Sequence, residues 1–375
     1  MPRPNDRAAL RSFLRLSPFL RRIWTEDRGL GGNALASRVW KGETKVDIHK
    51  PRIADNFGRR FPYLRLSVTD VCNFRCSYCL PDGYKKSGCE SFLSRNEIKR
   101  LVAAFASLGV WKIRLTGGEP TVRPDFLEIA QDISSIDGIQ KLAFTTNGYK
   151  LPERAQSYYD AGLRAINISI DSLNAGQFEV ITGHNRLEEI LEGMEECFRV
   201  GFKFVKVNTV LLKGLNDEEL DDFIHFVSDK PISLRFIELM RTGENVAYFG
   251  SHHLAGTHVT ERLLAGGWRM KERVEGAGPA LEFEHPHSKG SIGLIAPYSK
   301  DFCKSCNRLR ISAKGALHLC LFGEGGYSLR HLLQDDAQSE ELKDKILELM
   351  NYKKSTHFLH DGLTGATPHL ASIGG

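Results

Sequence analysis

Between residues 63 and 240 the chain switches six times between a short strand-like run and a longer run of helical periodicity. The strand-like runs are 63–69, 111–116, 141–146, 165–170, 202–212 and 232–240, and helical patterns such as 96–108 and 125–133 lie between them. Strand, loop and helix repeated in this way predict a parallel sheet with helices outside it. Six units are too few for a closed eightfold barrel, so the fold expected is α/β, a partial (βα)6 TIM-like barrel over 51–240. From about Arg241 the pattern changes. Glycines and histidines become frequent, and shorter strands are expected at 292–296, 309–312 and 316–321. Residues 241–375 read as a C-terminal α+β module that covers or completes the barrel.

The unusual residues stand where the first four strands end. They are the loop Cys72-Asn-Phe-Arg-Cys76-Ser-Tyr-Cys79, then Gly117-Gly118-Glu119-Pro120, Thr145-Thr146-Asn147-Gly148 and Ser169-Ile170-Asp171. Ligands of open α/β sheets and barrels collect at the carboxyl ends of strands, so these loops predict one site.

The cysteine spacing limits the chemistry. Tetrahedral zinc takes four protein ligands, whereas C-x3-C-x2-C offers three thiols. A [4Fe–4S] cubane held by three thiolates keeps one iron open for a substrate or cofactor. A zinc knuckle completed by Cys89, or plain buried thiols, is the other reading. A second group, Cys303, Cys306 and Cys320, is again three thiols, expected across the same barrel mouth as the first, with His318 as a fourth ligand if the metal is zinc. Six of the eight cysteines fall in these two groups, a usage that fits metal binding in a reducing compartment rather than a disulfide scaffold. Cys89 and Cys197 read as small buried or half-buried thiols. Lys112 and Arg114 share one face of their strand, as do Arg308 and Arg310, so several strands bring cations towards one end, where an anionic ligand could be held.

Together, the first triad with Tyr78 before its third cysteine and the Gly-Gly-Glu-Pro turn on the next strand resemble the radical S-adenosylmethionine superfamily. The span from Arg65 to Gly375 is similar to the GTP 3′,8-cyclase family of molybdenum cofactor biosynthesis. The matching segments are Arg-Leu-Thr-Gly-Gly-Glu-Pro at 114–120, Asn-Ile-Ser-Ile-Asp-Ser-Leu at 167–173, Val-Lys-Val-Asn at 205–208, Arg-Phe-Ile-Glu at 235–238, Cys-x2-Cys-Asn-Arg-Leu-Arg at 303–310, and the Ile-Gly-Gly ending. The resemblance implies two [4Fe–4S] clusters, one on Cys72, Cys76 and Cys79 and one on Cys303, Cys306 and Cys320, the second in a C-terminal substrate module. It implies that the first cluster cleaves S-adenosylmethionine, and that the resulting 5′-deoxyadenosyl radical takes the C3′ hydrogen of GTP, whose carbon radical then attacks C8. It places Tyr78, Gly118, Ser169 and Met240 against S-adenosylmethionine. Against GTP it places Arg65, Arg114, Thr145, Lys206 and Arg308-Leu309-Arg310, with Lys112 and Arg235 as further triphosphate candidates. Gly374 and Gly375 resemble a tail that reaches into the active site. A flavodoxin- or ferredoxin-like electron donor, a downstream cyclic pyranopterin monophosphate synthase and a homodimer are the partners implied. Another radical S-adenosylmethionine enzyme with an auxiliary cluster, such as a peptide-modifying one, is the alternative. An iron–sulfur electron carrier or zinc-stabilised binding module would not need the Gly-Gly-Glu-Pro turn.

Composition narrows the partners. The net charge is +5, but residues 1–50 hold eleven Lys and Arg against five Asp and Glu, leaving 40 against 41 in the remainder. The basicity belongs to the N-terminal extension, so the charge gives no support to nucleic-acid binding. No apolar run approaches a membrane span. In the extension Arg3, Arg7, Arg11 and Arg15 recur every four residues beside Leu10, Phe13 and Leu14, the pattern of a mitochondrial transit peptide, with Asp6 out of keeping. The expected location is the mitochondrial matrix if residues 1–50 are such a peptide and the cytoplasm otherwise.

Overall fold

The computed structural model describes residues 53–86, 91–273, 277–366 and 370–374. The N-terminal extension, Cys89 and Gly375 lie outside the described residues.

Six parallel strands form the centre: β1 (Tyr63–Thr69), β2 (Lys112–Gly117), β3 (Lys141–Thr146), β4 (Ala165–Ser169), β5 (Phe204–Leu211) and β6 (Ser233–Glu238). The helices between them are α1 (Arg95–Ser107), α2 (Phe126–Ser134), α3 (Leu151–Asp160), α4 (Ala175–Thr182), α5 (Leu187–Val200) and α6 (Leu220–Ser228). Beyond β6 come α7 (Val246–His252), α8 (Thr257–Ala265), β7 (Arg269–Met270), β8 (Leu281–Glu284), β9 (Ser291–Ile295), β10 (Arg308–Ile311), β11 (Ala316–His318), β12 (Tyr327–Ser328) and α9 (Ser339–Leu349). The sheet order is β12-β11-β10-β1-β2-β3-β4-β5-β6-β9-β8-β7. β10 adds in parallel to β1 and β9 in parallel to β6, so the six-stranded arc gains one parallel strand on each flank without closing.

Strand alternation divides the side chains between two environments. On β1, Leu64, Leu66 and Val68 have no exposed surface and pack outward, while Tyr63 and Arg65 line the interior cavity. On β5, Val205 and Val207 pack outward, and Lys206 and Asn208 line the cavity. The outer layer is closed by aromatic pairs: Phe144 meets Tyr158 at 5.1 Å, and Phe223 of α6 meets Phe236 of β6 at 5.6 Å.

Helix α1 shows how the C-terminal region is fastened. Ser94 caps it, and Glu97 returns a bond to the Ser94 amide at 2.7 Å, a capping box. The other oxygen of Glu97 accepts from Arg330 Nε at 2.8 Å. A helix-start residue thus anchors the segment after β12. At the end of α5, Gly201 supplies the left-handed φ of 107° that terminates the helix. Cys197 on α5 is fully buried, a core thiol pushed up to about 12 by burial and the charge of Glu196.

Truncating Phe223 to Ala removes a fully buried ring and is expected to cost about 3–5 kcal/mol. Anaerobic denaturant unfolding of the variant should show that loss, while the iron bound per folded chain stays unchanged.

Candidate active site

One cavity of about 1360 Å³ runs through the barrel, and both thiol triads line it. Cys72, Cys76 and Cys79 follow the carboxyl end of β1. Cys303 and Cys306 precede the amino end of β10, and Cys320 follows β11, which returns antiparallel to β10. Because β10 is parallel to β1, the triads occupy opposite ends of the barrel. A common site at the carboxyl ends of the strands is the sequence expectation, and for the second triad it does not hold. The reason is topological: β10 enters the sheet in the same direction as β1, so a loop before β10 lies at the amino end. Roughly one strand length, about 20 Å, separates the ends.

The first end is built by three loops tied to one another. Glu119 is 1% exposed, and its oxygens accept from Thr121 Oγ1 at 2.7 Å, Thr146 Oγ1 at 2.9 Å and the Asn147 amide at 2.6 Å. Asn147 Nδ2 in turn donates to Asn73 Oδ1 at 2.9 Å, inside the cysteine loop. Gly118 lies so close to that loop that a Cβ on it would come within 2.6 Å of the Val71 carbonyl carbon. Tyr78 donates to Asp171 Oδ2 at 2.8 Å, and Asp171 also accepts from the Val210 amide. Ser169, at the tip of β4, and Met240 line the same region. Burial pushes the thiols of Cys72 and Cys79 up to about 11 and 12, helped at Cys72 by Glu119 and at Cys79 by Cys72.

The other end is cationic. In register across the strands stand Arg308, Tyr63, Lys112 and Lys141, and above them Arg310, Arg65 and Arg114. Arg114 donates from Nε to Tyr63 Oη at 2.7 Å and from Nη1 to the Phe144 carbonyl at 3.0 Å and Thr145 Oγ1 at 3.3 Å. Lys112 Nζ sits 4.4 Å above the Tyr63 ring. Burial would raise the Tyr63 phenol, but Arg114, Arg65 and Lys112 outweigh it and hold the group down at about 7. Burial pushes Lys206 well below the usual ammonium range, and Arg235 adds to the shift. Arg235 bonds Glu282 at 2.7 Å. The Cys306 thiol feels burial as a rise, yet Lys353, Arg308 and Arg59 bring it below its ordinary value. Arg59 also donates to the Cys303 carbonyl at 3.0 Å and to the carbonyls of Lys354 and Ser355.

Two sequence candidates behave differently from the rest. Leu309 is 1% exposed and packs into the core, because alternation turns it away from Arg308 and Arg310, which line the cavity. Gly374 is buried, adopts φ 66°, and accepts a hydrogen bond from Arg310 Nη1, which also donates to the Ile373 carbonyl at 3.1 Å. A Cβ there would fall within 2.8 Å of Thr116 Oγ1, so the tail enters the barrel at a position that accepts only glycine.

Sequence reading passed over Lys141, Asn167 and Asn208, all of which line the cavity. The Oδ1 atoms of Asn167 and Asn208 are buried with no partner among the described residues. The available signal was the strand period: Asn167 lies two residues before Ser169, Asn208 two after Lys206, and Lys141 opens its strand as Lys112 opens its own.

These features define a partial-barrel enzyme with a three-thiol site at each end of one interior and fixed cations around the second. Among the described residues no three His, Cys, Asp or Glu converge closely enough to hold a single metal ion, and Cys89, the fourth ligand of the zinc knuckle, lies outside them. Each end of the cavity is lined by three thiols, the donor set that leaves one iron of a [4Fe–4S] cluster open. The Radical SAM superfamily description matches residues 66–227, and Molybdenum Cofactor Synthesis C matches 232–359. The GTP 3′,8-cyclase of Tolumonas auensis is 58% identical over 86% of this chain and 96% of its own. That of Stenotrophomonas maltophilia K279a is 56% identical over 86% and 99%. The crystal structure of Streptococcus suis SuiB bound to S-adenosylmethionine has a TM-score of 0.51 over 76% of this chain and 68% of that one, at 14% identity, a likeness of fold. The chain belongs to the GTP 3′,8-cyclase family. It is a radical S-adenosylmethionine enzyme with S-adenosylmethionine and two [4Fe–4S] clusters as its cofactors.

The loop after β4 makes the stability of the fold depend on pH. Glu219 accepts from Ser172 Oγ and the Leu173 amide, each at 2.7 Å, and burial raises it to about 7. With a folded value above the unfolded one, the carboxyl is protonated in the fold at pH values where the open chain is ionised. Its contribution is therefore present at low pH and lost as pH rises from about 4.5 to 7, by roughly 3 kcal/mol. Glu219→Gln should flatten thermal stability against pH between 5 and 7.

Proposed function

We propose that the chain converts GTP to (8S)-3′,8-cyclo-7,8-dihydroguanosine 5′-triphosphate, the first step of molybdenum cofactor biosynthesis. The observation that carries this reading is the polarity of the interior: buried carboxylates beside the first triad, and cations from six strands towards the second. S-adenosylmethionine carries a sulfonium and an ammonium, and GTP carries about four negative charges at neutral pH. The two ends match these two molecules.

When bound, a reduced [4Fe–4S] cluster on Cys72, Cys76 and Cys79 supplies the electron that cleaves S-adenosylmethionine to a 5′-deoxyadenosyl radical. Gly118 lets the turn backbone approach the methionine part, Ser169 and Met240 flank it, and the Tyr78–Asp171 bond holds the cysteine loop against β4. Arg65, Arg114, Arg308 and Arg310 offer forked donors to phosphate or to guanine acceptors, and Lys112, Lys206 and Arg235 complete the triphosphate cradle. Tyr63 and Thr145 orient Arg114. Cys303, Cys306 and Cys320 would hold the second cluster, whose open iron would be offered to guanine, and Leu309 contributes through its backbone. Gly374, whose carbonyl Arg310 binds, fills the space beside Thr116 and excludes water from the reacting carbons. A low-potential electron donor, a downstream pyranopterin synthase and a homodimer belong to this reading as proposals. So does a targeting role for residues 1–50, which rests on their arginine pattern alone, since the relatives compared are bacterial. No helix among the described residues is long and apolar enough to cross a membrane. The peptide-modifying alternative is not favoured, because the likeness to SuiB stops at the fold.

Anaerobic reconstitution with S-adenosylmethionine, reductant and GTP should give 5′-deoxyadenosine only when GTP is present, and turnover indifferent to GTP would overturn the assignment. Two cubanes should be seen as about eight irons per chain. Deleting Gly374 and Gly375 should lower cyclisation about 10²-fold or more while iron content and melting stay unchanged.

A further inference from the structure

We propose that Lys141 is an additional contact for the terminal phosphate of the substrate, extending the triphosphate site to β3 and setting the preference for a nucleoside triphosphate over a diphosphate. The inference rests on the GTP reading above and adds a residue to it.

Lys141 opens β3 in direct register with Lys112 at the start of β2, and both line the cavity. Each ammonium rests on an aromatic ring at the start of another strand: Lys112 on Tyr63 of β1 at 4.4 Å, and Lys141 on Phe204 of β5 at 3.6 Å. The ring fixes the long side chain without neutralising it. Ala165 opens β4 beside them, also lines the cavity, and leaves room for a ligand.

Charge points the same way. Among the described residues neither Lys112 nor Lys141 has an ion-pair partner, while Glu282 pairs with Arg235 and also attracts Lys206. Burial, then the neighbouring charges of Lys112 and Arg114, hold the Lys141 ammonium down at about 8. Glu282 offsets Lys206 and Arg235, and the Tyr63 phenol faces Lys112 and Lys141, but among the described residues no carboxylate pairs with these two lysines, and like charges held together in this way are destabilising unless an anion joins them. A diphosphate reaches fewer of these groups than a triphosphate, so Lys141, at the end of the in-register row away from Arg308 and the second triad, discriminates between the two.

The test uses the anaerobic holoenzyme and measures dissociation constants for GTP and GDP by calorimetry. Lys141→Met keeps the apolar stem over Phe204 and removes the charge. The expected result is about tenfold weaker GTP binding with less than about threefold change for GDP, and recovery of the GTP preference in Lys141→Arg. Equal losses for both nucleotides, or unchanged GTP binding, in a variant of wild-type iron content and melting temperature would overturn the inference alone. A wild-type holoenzyme that binds neither nucleotide would overturn the GTP reading and this inference with it.

Discussion

The period-two alternation of the parallel strands is the constraint on which this molecule rests. Each strand has an outward set of Leu, Ile, Val and Phe that packs under the helices, and an inward set that is polar or charged on several strands. Arg65, Arg114 and Lys206 cannot share space with a close-packed apolar core, so the inner wall stays open as a cavity. The same geometry that builds the hydrophobic layer therefore also creates the reaction chamber. A slip of one residue in any strand would exchange the two sets.

The chamber is polarised, and fixed hydrogen bonds maintain that polarity. At the carboxyl ends, Glu119 joins the second and third strand-end loops, and Asn147 passes the connection to Asn73 in the cysteine loop. At the amino ends, Arg59 binds the backbone of Cys303 and of the 354–355 segment, while Arg310 holds the tail that descends between the strands. The first network positions loops around a carboxylate-lined pocket, and the second positions them around cations. The thiols respond accordingly: burial raises those of the first triad, whereas nearby Lys and Arg bring Cys306 down.

Much of this was legible in the sequence because it is local. Strands β1 and β3 have the limits that the pattern predicts, and the other four differ by one or two residues at their ends, where backbone pairing rather than side-chain pattern sets the last hydrogen bond. Lys112, Arg114, Arg308 and Arg310 reach the cavity because alternation assigns them to one face. The same rule sends Leu309 into the core, which a motif read as a contiguous block obscured. Lys141, Asn167 and Asn208 escaped notice because a lysine or asparagine on a strand has no local signature; each gains meaning from the strands beside it.

The sequence by itself determined the two thiol triads, their spacing, the glycines that permit close approach, and the six-unit parallel arc, since all of these depend on residues a few positions apart. Only the tertiary structure decided that the triads face each other along the barrel instead of across one mouth. It also decided that Gly374 lies against Thr116 and that Lys112 and Lys141 stand side by side. These facts follow from β10 pairing in parallel with β1, from β3 aligning with β2, and from the tail entering between them. Such pairings join residues far apart in the chain, and no local periodicity records the direction in which a distant strand will enter the sheet.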